Sequence, residues 1–100
     1  MAAKSVKNHV SVEATATTAG SSSAINVKKI IWLTNDGAVD LLVNFDNTGL
    51  TAGTDGCFTV KPNEIIDKED IKVGTIYYKS ASATCAFRLL GIPDDDNSAY

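Results

Sequence analysis

The chain has 100 residues, a net charge of −3 and 44% hydrophobic residues, with one histidine and two cysteines. That is the size and make-up of one small soluble domain, neither disordered nor disulfide-framed, and its mild acidity disfavours non-specific nucleic-acid binding. No stretch reaches the ~20 consecutive apolar residues of a membrane helix, and no apolar core follows Lys4 and Lys7 as a secretory signal requires.

In chain order, residues 1–8 read as a basic arm. Val10, Val12, Ala14 and Ala16 then alternate with polar residues, the period of a half-buried strand. A flexible turn at Ala19–Ser23 leads into the strongest pattern in the chain. Ile25, Val27, Ile31 and Leu33 alternate, and so do Val39, Leu41, Val43 and Phe45. Asn35-Asp36-Gly37 lies between them, so the segment reads as a hairpin around a tight turn that uses positive φ. Ile30 and Trp32 fall on the opposite face of the first strand. That strand is expected either to be covered twice or to show Trp32 to a partner.

Asn47–Gly56 reads as a long loop, of the kind that is functional or mobile. Cys57–Lys61 is a short strand that turns at Pro62-Asn63. Glu64–Asp67 is a brief extended piece or a helical turn. Thr75–Ser80 is a strand with Ile76 and Tyr78 on one face and Tyr77 on the other. Thr84–Ile92 is a strand with Cys85, Phe87 and Leu89 facing inward, and Pro93 ends it. Punctuated short strands without a long helix predict an all-β fold. The expected architecture is a compact antiparallel β-sandwich or small barrel of about six to eight short strands. It has an N-terminal arm (1–8), a sandwich domain (9–92) and an acidic C-terminal tail (93–100).

Little in the chain suggests catalysis. His9 has no Ser or Cys nucleophile near it in sequence. Cys57 and Cys85 lie too far apart, with one histidine, to suggest a zinc site, and they are expected as free, half-buried thiols rather than a bridge. Asp46, Asn47, Thr48 and Asp55 supply oxygens without the spacing of a calcium loop, which favours turn chemistry. Asp67, Glu69 and Asp70 are interleaved with Lys68 and Lys72, as on a solvated corner. Gly49, Gly53 and Gly56 do not match a phosphate loop. Trp32, Tyr77 and Tyr78 could form a sugar-stacking platform. The residues therefore predict no catalytic group, no cofactor and no metal. They favour association, because a strand apolar on both faces needs cover.

Several stretches resemble small virion proteins of tailed bacteriophages: Lys29–Gly37 (KIIWLTNDG), Val39–Asp46 (VDLLVNFD), Phe58–Glu64 (FTVKPNE), Thr75–Ser80 (TIYYKS) and Phe87–Ile92 (FRLLGI). In that group a strand often runs into Pro-Gly-Glu; here Asn63 takes the glycine position, and asparagine also reaches the left-handed region. The resemblance covers residues 25–92. It implies a β-sandwich that decorates or cements a capsid, with head–tail neck, head-fibre or tail accessory roles as alternatives, and a tail-tip carbohydrate-binding module as a further one. It implies no catalytic residue. The expected partners are the major capsid protein or other virion proteins, and a second copy in a homo-oligomer with a trimer favoured; nucleic acid and membrane are not among them. The expected location is the virion, after synthesis in the host cytoplasm. Expected interface residues are Lys4, Lys7, His9, Lys28, Lys29, Trp32, Asp94, Asp95 and Asp96. Lys28 and Lys29 would meet acidic capsid surface or the acidic tail of an adjacent copy.

Overall fold

The structure, a computed structural model, describes residues 9–94. Its elements are β1 (Val10–Ala16), β2 (Ser21–Asn35), β3 (Leu41–Phe45), β4 (Phe58–Val60), β5 (Ile65–Glu69), β6 (Val73–Ser80) and β7 (Cys85–Pro93). They form one antiparallel sheet in the order β1-β7-β2-β6-β3-β4, with β5 also paired to β2. The fold is therefore all-β and sandwich-like, and the segment after Pro62-Asn63 is a strand rather than a helical turn.

The fold turns on β2, which takes three partners. Its first half, Ser21–Val27, pairs with β6, and its second half pairs with β7 on one side and β5 on the other. One half-sheet is β1-β7-β2-β5 and the other is β2-β6-β3-β4. Both enclose one core of Ile30, Leu33, Leu41, Val43, Val60, Ile76, Phe87 and Leu89. Tyr78 on β6 and Phe87 on β7 meet edge-to-face across it, with ring centroids 4.7 Å apart.

Two readings of this region are corrected. The alternation of β2 is not continuous. Its register slips between Ala24 and Val27 against β6, and between Val27 and Lys29 and again between Ile30 and Trp32 against β7. Each slip is an extra β2 residue, a bulge that re-phases the strand. Asn26, at φ 47°, occupies the first. Ile25, Val27, Ile30 and Leu33 consequently face the core, whereas Ile31 shares the outer side with Trp32.

Nor do β2 and β3 form a hairpin. β3 pairs with β4 and β6, because both edges of the second half of β2 are already taken by β7 and β5. The Asn-Asp-Gly segment is a corner between half-sheets and contains no positive φ. Gly37 is needed there for space: a Cβ would lie 2.8 Å from Cys85 Sγ and 3.0 Å from its Cα. Asn35 pins the corner from inside. Its buried Nδ2 donates to the carbonyls of Val39 (2.8 Å) and Val60 (2.9 Å), and its Oδ1 accepts from Gly37 N (2.8 Å) and the Cys85 thiol (2.9 Å).

The turn expected at Ala19–Ser23 is shorter, because Ser21–Ser23 already belong to β2 and pair with Ile76–Tyr78 of β6. Val10, Val12, Ala14 and Ala16 turn toward the core, as do Cys85, Phe87 and Leu89. Asn63 sits at φ 66° after Pro62, the type II turn pattern, and Lys61 N donates to Glu64 Oε1 at 2.8 Å across it.

Candidate functional site

The outer face of β1-β7-β2-β5 carries the most concentrated set of unusual side chains. Alternation along β7 points Ala86 and Arg88 outward opposite the inward Phe87 and Leu89. Arg88 then meets Asp36 from the corner. Its Nε donates to Asp36 Oδ2 at 2.6 Å and its Nη2 to Oδ1 at 3.2 Å, a two-pronged grip. Thr34 Oγ1 also donates to Asp36 Oδ1 (3.1 Å), and Asp36 N donates to the Ala86 carbonyl (2.9 Å). The Arg88 hydrogen bond holds the Asp36 carboxyl below the usual carboxylate range, outweighing partial burial, and Asp36 in turn raises Arg88.

The Arg88 guanidinium carbon lies 5.5 Å from the ring centre of Trp32, within cation–π range. Trp32 reaches this face because of the second β7-side bulge in β2. With Ile31 and Ile65 it forms the apolar lining of an open cleft of about 360 Å³, completed by Thr34, Asp67, Lys68 and Arg88. Ile65 is 62% exposed, the most exposed of the large apolar side chains described. Asp67 stands opposite Trp32 in the β2–β5 register.

Of the residues expected at an interface, Trp32 is the one this face presents. His9 is exposed just before β1. Lys28 and Lys29 lie at the first β7-side bulge, next to Ile92 and Pro93. Asp94 forms an ion pair with Lys72 of its own chain (3.1 Å), and its N–H donates to the Asn26 carbonyl. Lys4, Lys7, Asp95 and Asp96 lie outside the described residues. Sequence reasoning missed Arg88, Asp36, Ile65 and Asp67 as neighbours of Trp32. The alternation of β7 already pointed Arg88 outward, but nothing in the sequence placed β7 and β5 on either side of β2.

The aromatic platform is not assembled. Tyr78 faces the core and its hydroxyl shares a hydrogen bond with Ser23 Oγ (3.2 Å). Tyr77 lies opposite Ser22, ten positions along β2 from Trp32, beside Leu50 and Thr48. The side-chain oxygens of Asp46 and Asn47 are held by backbone N–H groups. Asp46 accepts from Gly74 N and Thr75 N, Asn47 accepts from Gly49 N, and Asn44 Nδ2 donates to the carbonyls of Gly49 and Asp55. Among the described residues no group of three His, Cys, Asp or Glu is placed to hold a metal. Cys57 and Cys85 are buried and free, and burial pushes both thiols up. No helix of the described residues is long and apolar enough to cross a membrane.

Comparison with protein-family models, with curated proteins and with solved structures finds no match to the chain.

Proposed function

We propose that this chain is a non-enzymatic structural protein of a bacteriophage virion, a decoration or cement protein that binds the assembled shell. The observation that carries the reading is the outward Trp32–Arg88 pair with Ile31 and Ile65 beside it. Tryptophan and arginine are the residue types on which protein interfaces most depend, and here they are set on the adjacent paired strands β2 and β7. The stretches shared in style with small phage virion proteins supply the partner class, the major capsid protein or its neighbours. The mechanism is linkage: a protein that binds the assembled lattice and not loose subunits adds its binding free energy to shell stability. Self-association, with a trimer at a local three-fold, belongs to the same proposal, as does location in the virion. Nucleic acid and membrane have no part in it.

The test is co-sedimentation with empty capsid shells, together with the mass in solution by light scattering. A decoration protein pellets at hundreds of copies per shell. Attachment at few copies on one axis would transfer the reading to a neck, head-fibre or tail component. A protein that ignores shells would overturn it.

A further inference from the structure

A sheet that ends in an open edge must either blunt that edge or use it. Among the described residues three strands have a single neighbour each: β4, β5 and β1. β4 is three residues long, too short to template a further strand. β5 is blunted by charge and by shape. Asp67, Lys68 and Glu69 follow one another, and Lys68 sits at φ 58°, a left-handed turn of the backbone inside the strand. β1 has neither defence. Its seven residues pair with β7 from Val10 to Ala16 without a register slip. It contains no proline and no lysine, and its one charged residue is Glu13.

β1 also leaves apolar surface unfinished. Val10, Val12 and Ala14 pack against the core yet stay half-buried, while Ala16 is fully buried. β1 is the last strand of its half-sheet, so a neighbour on its open edge would cover them further. Ser11, Glu13 and Thr15 alternate with them on the outer face and are exposed. A second copy of β1, run antiparallel about a two-fold axis, continues this pattern, since residues opposite one another in an antiparallel pair share a face. Registers that keep the two core sides together are centred on one residue and its own counterpart. Centring on Glu13 sets like charges directly opposite and is disfavoured. Centring on Ser11 or on Ala14 leaves Ala14 or Val10, respectively, outside the paired strand. Centring on Val12 sets Val12 against Val12, Val10 against Ala14 and Ser11 against Glu13. Apolar residues then meet on the core side and no like charges meet.

We infer that β1 is a self-association edge: two copies pair through it, antiparallel, with Val12 opposite Val12 of the second copy. The two half-sheets then run on as one sheet. This contact goes beyond the docking reading and does not rest on it. It is a two-fold contact, separate from the three-fold one proposed above, and on a shell it joins neighbouring trimers.

Two sets of variants of the full chain test the edge and its register. In Val12→Cys the opposed Cα atoms lie about 4.5–5.5 Å apart, within disulfide reach. Mild oxidation is expected to convert most of this variant to a two-chain band on non-reducing gels. The parent, whose Cys57 and Cys85 are buried, is expected to stay a single chain. Thr15→Cys, on the same strand but away from the axis, is expected to cross-link at least about tenfold more slowly. Charge changes at the exposed Ser11 keep the test independent of the cysteine variants. Ser11→Lys meets Glu13 of the second copy on both sides of the axis and is expected to tighten the dimer about fivefold. Ser11→Glu is expected to loosen it about fivefold, both read by sedimentation equilibrium. Ser82→Lys, the same charge change in an exposed turn, is expected to leave the dimer unchanged. Equal responses to Ser11→Lys and Ser82→Lys would overturn the inference, as would a folded Val12→Cys protein that does not cross-link. Shell binding separates this inference from the proposed function. A protein that pairs through β1 yet ignores shells sinks the virion reading alone. Shell binding by a protein that does not pair through β1 sinks this inference alone.

Discussion

Asn35 is the residue whose loss the fold would feel most for its size. It is buried, and its side chain joins the corner after β2 to the end of β4 and the start of β7. An alanine there takes this partner from the Val60 carbonyl and the Gly37 N–H, each at a cost of about 1–3 kcal/mol where no partner replaces it, while the Cys85 thiol and the Val39 carbonyl keep each other at 3.4 Å. Asn35→Ala is expected to lower unfolding free energy by about 3 kcal/mol, read as a shift in urea midpoint with an unchanged slope. A loss near zero would mean that water enters and satisfies the corner. The neighbouring Asp36 gives a pH signature. Arg88 lowers its folded pKa below the unfolded value of about 3.9, so the pair stabilises the fold above that value and the contribution is lost as pH falls through the folded pKa. Asp36→Asn is therefore expected to be less stable than the parent at pH 7, with the gap closing below about pH 4. A gap constant from pH 7 to pH 3 would remove the ion pair from the account. None of this was legible in the sequence, where Asn-Asp-Gly signals a reversal but not which strands it joins. The same three residues serve a hairpin or a corner, and the choice is made by β5 and β7 taking both edges of β2.

The elements differ in how plainly they are written, and the difference is physical. β1 and β7 keep one residue per pleat, and β6 does so from Ile76 to Ser80, so their period-two pattern gives these inward faces directly. β2 breaks the period at its bulges, so Ile30 and Ile31 exchange the faces that strict alternation assigns them. The sequence trace of the bulges was present as an apolar run from Ile30 to Leu33 that satisfied both faces at once. The first bulge is the easiest to test. Asn26 adopts φ 47°, a conformation open to asparagine and glycine and costly for a β-branched residue. Asn26→Gly is expected to leave stability within about 0.5 kcal/mol, and Asn26→Val to cost about 1–2 kcal/mol, both by chemical denaturation. Equal behaviour of the two variants would show that the bulge relaxes and that the β2 register is not fixed by this residue.

At the scale of the whole molecule, the core and the proposed docking face occupy opposite sides of the same half-sheet, and this makes stability and attachment separable. The inward side of β7 and β2 supplies Phe87, Leu89, Leu33 and Ile30, all essentially inaccessible to water. The outward side supplies Arg88, Trp32 and Ile31, none of them in the core. A domain of this size has a total unfolding free energy of about 5–15 kcal/mol. Phe87→Ala, which empties the centre of the core and removes the ring packed on Tyr78, is expected to cost about 3–5 kcal/mol and to leave little folded protein to bind anything. Trp32→Ala removes a half-buried ring from the outer face and should cost about 1 kcal/mol. Its effect on attachment should be larger than its effect on folding, with shell affinity falling about 30-fold or more if Trp32 anchors the interface. The two variants are compared by denaturation and by co-sedimentation with shells in the same buffer. Trp32→Ala protein that stays folded and leaves the shell places the anchor on this face. Trp32→Ala protein that stays folded and binds undiminished moves the docking surface elsewhere, and the long loop Asn47–Gly56, which Asn44 holds against the other half-sheet, becomes the surface to test next.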